Sequence, residues 1–255
     1  MNNAIRVCSF NCQSLNRKSQ VVQSLLSNYD ILFLQETLVN EFNSEILDSL
    51  DPNFLSYYVP AVRKSNVFSG RPSGGLAAFW RKSEDWKVTM FNFSPRIMGM
   101  RIEIDTVHYL ILNIYCICDY GTLDSLIEYK SIMADLFNIC NDEIFDELVL
   151  VGDLNADPNK GRFYKELLDF TQTSSLFVSD VSCLPSNSYT YISPTQTCAT
   201  SWLDHVLTTN ISIISKHEIL YGTTFYDHIP ICFELHFPSN VKFDANINFN
   251  NSIIQ

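Results

Sequence analysis

Apolar residues come along this chain in short bursts that end on polar ones. AIRVCSF (4–10) and DILFLQ (30–35) each have the length of one strand. Between them Val21, Val22, Leu25 and Leu26 recur at helical spacing and predict a helix over about 17–28. GGLAAFW (74–80), WKVTMF (86–91), RIMGMRIEI (96–104) and HYLILNIYCI (108–117) follow in close succession, as the strands of a meander do. A longer helical stretch over about 123–140 carries Leu126, Ile127, Met133, Leu136 and Phe137. Beyond it the pattern gives a strand at ELVLVG (147–152), a helix over about 161–173, and strands near 188–192, 203–208, 211–220 and 229–237.

Strands outnumber helices about two to one, and helical crossovers mix with hairpin-like neighbours, so the expected class is α+β: two mixed sheets face to face with helices outside. No repeat or linker divides the chain. Residues 1–238 are expected to form one domain. The tail 239–255, SNVKFDANINFNNSIIQ, is rich in asparagine without periodicity and reads as a poorly ordered end or the start of a linker.

Composition narrows the class. With 255 residues and 46% hydrophobic content the chain fills a core, which excludes a disordered protein. No apolar run has the length of a membrane span, and MNNAIRVCSFN lacks a charged segment followed by an apolar one, so a soluble, non-secreted, intracellular protein is expected. Eight cysteines are scattered without a CxxC pair, which suits reduced thiols. Cys116 and Cys118 form a CxC that an extended strand would turn to one face, without a second ligand pair nearby.

The net charge of −11 opposes a protein that holds nucleic acid by bulk electrostatics. Its distribution is uneven. From Val59 to Lys82 there are five basic residues (Arg63, Lys64, Arg71, Arg81, Lys82) and no acidic one, enough for a local positive edge or simply for a solvated loop.

Candidate chemistry gathers where strands stop. Asn11 closes the first strand and Gln35–Glu36 the second. Asp153 and Asn155 follow LVLVG, Asp204 interrupts WLDHVL, and Asp227–His228 precede IPICFEL. Each is ordinary alone, because strand ends are often polar and Asx residues make turns; their coincidence at sheet ends is what suggests a site. Glu36 with Asp227 suits a hard cation such as Mg²⁺, which takes carboxylates, water and substrate oxygens. Asp153 beside Asn155 suits aligning and deprotonating water, and His228 oriented by Asp204 suits binding a phosphoryl oxygen. Together these describe phosphoester hydrolysis. Asp157, followed by Pro158, reads as turn chemistry that caps the next helix.

SFNCQSLN, LFLQET, NIYCI, GDLNADP, TSWLDHVL and YDHIPI, in this order over about residues 5–236, resemble the endonuclease/exonuclease/phosphatase superfamily, which includes deoxyribonuclease I-like and abasic-site endonucleases. SGRPSGGLAAFWRK, GDLNADPNKGRF and TYISPTQTCATSWLDHVL are most similar to the apurinic-like endonuclease domain of LINE-type non-LTR retrotransposon polyproteins. The resemblance implies a four-layered α/β/β/α sandwich and an enzyme that nicks double-stranded target DNA to leave a 3′ hydroxyl. It implies Mg²⁺ as cofactor, with Mn²⁺ as a substitute, nuclear localisation, a monomer, and a reverse transcriptase that is fused or lost.

Carried over by residue, the resemblance gives Glu36 and Asp227 to the metal and Tyr115 to the scissile phosphate. Asp153 with Asn155 aligns water, and Asp204 orients His228. Asn11 and Thr190 assist substrate, and Arg71 in the basic stretch and Trp202, at the loop before Asp204, are candidate substrate contacts. The chain departs from the family pattern at Cys116-Ile117-Cys118, where Pro and then Asn or a similar residue are usual. It departs again at Tyr226, where Ser is common, and at Gln13, where abasic-site enzymes carry a carboxylate. Two alternatives stand beside DNA nicking: a phosphohydrolase of the same fold acting on RNA, phosphoinositides or lipid head groups, and a non-catalytic binding module that keeps the shell.

Overall fold

A computed structural model describes residues 4–62, 73–83, 86–104, 106–195, 198–222 and 227–236. Arg63, Lys64, Arg71, the tail 239–255 and the domain boundary at 238 lie outside the described residues.

The aliphatic bursts form two six-stranded mixed sheets. In chain order the strands are β1 (Ala4–Asn11), β2 (Ile31–Gln35), β3 (Phe54–Val59), β4 (Leu76–Arg81), β5 (Lys87–Ser94), β6 (Ile97–Ile104) and β7 (Val107–Tyr115). They continue as β8 (Glu147–Asp153), β9 (Phe177–Val178), β10 (Tyr191–Ile192), β11 (Thr200–Ser201), β12 (Asp204–Thr208), β13 (Ile214–Ile219) and β14 (Ile231–His236). The first sheet has the order β13-β14-β1-β2-β4-β3 and the second β5-β6-β7-β8-β12-β9, while β10 and β11 make a separate hairpin.

The expected sandwich is present. A core between the sheets joins Val7, Ile31, Phe33 and Phe233 from the first to Met100, Ile111, Val149 and Val206 from the second. Helix α1 (Leu15–Asn28) and the short α2 (Glu45–Leu50) cover the outer face of the first sheet through Val22, Leu25, Leu26, Leu47 and Leu50. Helices α3 (Leu123–Asp142) and α4 (Gly161–Thr173) cover the second through Tyr129, Leu136, Phe163 and Leu167, and α5 (Ser179–Cys183) follows β9. Burial of these faces removes water from aliphatic surface on both sides of each sheet, which is why the central strands read as continuous apolar runs. Among the described residues no helix is long and apolar enough to cross a membrane.

Four expectations need correction. The four-strand meander is three strands, β5-β6-β7, because β4 crosses to pair with β2 and β3 in the other sheet. On α3 the buried stripe is Tyr129, Ile132, Met133 and Leu136, whereas Ile127 and Phe137 are exposed. β7 ends at Tyr115, so Cys116 and Cys118 are not on one strand face: Cys116 is buried and Cys118 half-buried. The positive edge loses two members, since Arg81 pairs with Asp30 at 3.4 Å and Lys82 Nζ donates to Pro52 O at 2.7 Å.

Candidate active site

The topology assembles the polar strand ends. β1 and β2 run parallel and stop side by side at Asn11 and Gln35. β7 and β8 run parallel with Tyr115 beside Asp153, and antiparallel β12 begins with Asp204 opposite the same Asp153. One row thus carries Tyr115, Asp153 and Asp204 across the second sheet, facing Asn11 and Glu36 from the first.

Two local features aim these side chains. Beyond the last β2–β4 pair, Leu34 with Ala77, the Thr37 N–H donates to Gly75 O at 3.1 Å, so Gln35 and Glu36 together stand opposite the single residue Leu76. This is a β-bulge with Glu36 in the left-handed region, φ 50°, and it turns the carboxylate towards the second sheet. Gly152, at φ 140°, precedes Asp153 where a Cβ would lie 2.1 Å from Ile114 O; only glycine lets β8 come this close to β7.

Asn11 joins the halves. Its Nδ2 donates to Glu36 Oε1 and to Asp153 Oδ2, each at 2.8 Å, and its Oδ1 accepts from the Gln13 N–H at 3.2 Å. Both amide protons are spent on carboxylates, so Asn11 organises the acids and does not offer a free donor to substrate. Asp153 Oδ1 accepts from the Asn155 N–H at 3.0 Å, and Asn155 is itself left-handed at φ 50°. Asn155 Nδ2 donates to Cys116 O at 3.0 Å, which leaves its Oδ1 as the acceptor available to a water. His228 Nδ1 is 3.0 Å from Asp204 Oδ2, and its Nε2 lies 3.8 Å from Asp153 Oδ2. Asp227 is reached at 3.4 Å by Gln13 Nε2.

Glu36, Asp153, Asn155 and His228 line a cleft of about 430 Å³ that also takes in Gln13, Cys118, Lys160, Tyr191 and Ser201, while Tyr115 lines a second cavity of about 320 Å³ that shares Cys118 with it. Two expected substrate contacts do not face it. Trp202 is buried, 2% exposed, and stacks on His205 with ring centroids 6.1 Å apart. Thr190 is fully buried, and its Oγ1 accepts from the N–H groups of Leu203 and Asp204, at 2.9 and 3.0 Å, which fixes where β12 starts. Arg71 lies outside the described residues. Asp157 makes a turn, accepting from the Asn159 N–H at 2.9 Å, but it does not cap α4, whose N-cap is Lys160.

His205, on the opposite strand face from Asp204, is a second buried histidine with its own aspartate. Its Nδ1 is 2.9 Å from Asp180 Oδ2 and its Nε2 2.7 Å from Ala156 O. A carbonyl only accepts, so Nε2 carries a proton, and the bond pins the turn just after Asn155 from below. A lone histidine in an apolar strand gives no signal of this; the partner Asp180 is 25 residues away in sequence.

Burial and charge set the proton positions. Burial pushes Asp153 up to about 7, helped by the Asp204 and Glu36 carboxylates and opposed by His228 and the Asn11 bond. Burial would lower His228, but Asp204, Asp153 and Glu36 outweigh it and raise the imidazole to about 9. At neutral pH His228 is therefore charged, with Nδ1–H on Asp204 and Nε2–H aimed into the cleft. Burial, with Glu36 and Asp153, pushes the Tyr115 phenol up, so it stays a donor.

The residues present fit a divalent cation. Asp153, Asp204 and His228 bring ligand atoms within 4.8 Å of one another, and Glu36 joins them through Asn11. Carboxylate oxygens are the donors a hard cation takes, and such an ion would compensate the burial, and the lesser repulsion from Asp204 and Glu36, that raise Asp153. His228, charged and bonded to Asp204, has no lone pair to give; of the two expected metal residues Glu36, bridged to Asp153 by Asn11, lines the cleft and would hold the ion, whereas Asp227, reached by Gln13, is not among the lining residues.

Comparison with known proteins agrees with this geometry. Residues 8–220 match the endonuclease/exonuclease/phosphatase family, and the chain belongs to that family. That membership makes the protein a hydrolase acting on phosphodiester bonds. The fold is shared with the AP endonuclease LMAP from Leishmania major at a TM-score of 0.78, with 12% identity over 92% of this chain and 89% of that one. It is shared with the 3′ phosphatase NExo from Neisseria bound to a product DNA hairpin, at a TM-score of 0.68, with 17% identity over 92% and 100%. The endonuclease domain of TRAS1, a telomere-specific non-LTR retrotransposon, gives a TM-score of 0.65 with 12% identity over 91% and 99%. No curated protein sequence matches the chain.

Proposed function

We propose that this chain is a Mg²⁺-dependent endonuclease, with Mn²⁺ as a substitute, that nicks one strand of double-stranded DNA and leaves a 3′ hydroxyl, as non-LTR retrotransposon endonucleases do. The observation that carries the reading is the pairing of Asp153 with a charged His228, their polar atoms 3.8 Å apart at the cleft floor.

Asp153 accepts the proton of a water held between it and Asn155 Oδ1. The water attacks phosphorus as the P–O3′ bond breaks, and the departing 3′ oxygen takes a proton from solvent, leaving a 3′ hydroxyl and a 5′ phosphate. His228 Nε2–H and the Tyr115 hydroxyl donate to the phosphoryl oxygens as negative charge builds, which is where fixed donors lower a barrier most. A cation at Glu36 would supply further charge neutralisation at the phosphoryl and leaving oxygens. The acidic body of the chain suits a site that relies on this cation, and less on a basic surface, to hold a polyanion.

The same proposal includes a monomer, action in the nucleus, and a reverse transcriptase fused to or lost from the polypeptide. The end chemistry tests it. Nicked plasmid should prime a DNA polymerase directly, without phosphatase treatment. Nicks that prime only after a 3′ phosphate is removed would refute the cleavage direction, and release of phosphate from lipid or RNA ends without nicking would replace DNA as substrate.

A further inference from the structure

Beneath the acids, three polar side chains with almost no exposure tie the sheets together. Gln35 Nε2 donates to Ser9 Oγ at 3.0 Å and to Asn113 Oδ1 at 2.7 Å. Asn113 Nδ2 donates to Leu34 O at 3.1 Å and to Ala77 O at 3.2 Å. Asn113 belongs to the second sheet and all of these partners to the first. Leu34 and Ala77 are the last register pair before the bulge that turns Glu36. The amide of Asn113 therefore fills the place where the β2–β4 ladder opens.

Each member stands next to a group of the site. Ser9 is two residues before Asn11 on β1, Gln35 adjoins Glu36, and Asn113 is two residues before Tyr115 on β7. A strand places residues two apart on one face, so the clasp lies one layer below Asn11 and Tyr115. Buried amides are costly unless bonded, and Gln35 Oε1 has no partner among the described residues. An apolar set of similar size would fill this place with less cost, as Val7, Phe33 and Ile111 do nearby.

We infer that Gln35 and Asn113 are positioning residues: they fix the register between the two sheets so that Glu36 on one and Tyr115 with Asp153 on the other meet at reacting distance. The inference rests on the proposed nicking reaction and concerns the same site. Apolar packing between sheets specifies separation well and sliding poorly, whereas three directed bonds across the gap specify both.

The test separates stability from geometry. Gln35→Met alone leaves Asn113 Oδ1 without its donor and should lower Tm. The double variant Gln35→Met/Asn113→Leu also removes that orphaned acceptor, but it leaves Leu34 O and Ala77 O without the Asn113 amide, so it should recover only part of that loss. In the double variant kcat for plasmid nicking should nevertheless stay down by about 10²-fold with KM little changed, as misplacement of reacting groups by about an ångström gives. Mn²⁺ affinity, titrated on the same proteins without DNA, should weaken at least about fivefold, since Glu36 and its neighbours no longer converge. Recovery of kcat and Mn²⁺ affinity along with Tm would overturn the inference. If the wild type does not nick at all, the reaction is wrong; the Mn²⁺ titration then decides alone, with equal affinities overturning the clasp and a weakened double variant upholding it.

Discussion

Asn11 Nδ2 stands 2.8 Å from Asp153 Oδ2 across 142 residues of sequence, and the same nitrogen holds Glu36 at 2.8 Å. One amide thus keeps two carboxylates from opposite sheets close together although they repel. Asn11→Ala should cost about 1–3 kcal/mol, because the buried Asp153 and the half-buried Glu36 both lose their donor, and should cut nicking by at least about tenfold. Thermal melts and initial rates on the variant check both. Unchanged rates would show that the acids do not need this bridge.

Activity should follow a bell in pH. Asp153 must be ionised to take a proton, so rates rise through about 7, and His228 must be charged to donate, so they fall through about 9. The two titrations belong to the pair, and added cation moves the acidic limb down. Asp204→Asn removes the carboxylate that most raises His228, so the alkaline limb should shift to lower pH. A pH–rate series on both proteins measures this.

The same groups govern stability without metal. The folded protein binds the His228 proton more tightly than the unfolded chain, so that stabilisation is complete below the unfolded value of 6.5 and disappears as pH rises through about 9. Asp153 is also raised, from 3.8 to about 7, so its ionisation opposes the fold over that window. Chemical denaturation in chelator should show stability declining from about pH 6 to pH 9 and divalent cation restoring part of it at the upper end. A flat or rising profile would contradict the assigned proton positions.

His205 should prove structural with a local consequence. His205→Phe breaks a fully buried pair, leaves Asp180 uncompensated and frees the turn after Asn155, for a loss of about 3–5 kcal/mol. Asp180→Asn keeps a donor for Nδ1 and the Nε2–H bond to Ala156, so its loss should be smaller. Denaturant titration of the two variants ranks them, and the reverse order would refute the bond pattern.

Much of this was legible in the sequence because a buried strand that ends in water must switch from aliphatic to polar abruptly, and five such switches mark the site. β3 was not legible: FLSYYV is half-buried and follows a six-residue helix, so neither alternation nor length marks it. The crossing of β4 into the other sheet escaped because neighbours in sequence are expected to pair, and only tertiary packing decides otherwise. Trp202, two residues before Asp204, and Thr190, fourteen before it, were read as facing substrate. The structure places both beneath β12, where the tryptophan packs and the hydroxyl caps two backbone N–H groups. The His205–Asp180 pair and the Gln35–Asn113 clasp depend on contacts between distant segments that no local pattern announces.

The measurement that bears most directly on the account is relaxation of supercoiled plasmid by the purified protein in Mg²⁺, beside Asp153→Ala and a chelator control. Conversion to the open circle by the wild type, lost by at least about 10³-fold in the variant and abolished by chelator, is the predicted result. Equal nicking by Asp153→Ala, or none by the wild type, would contradict it.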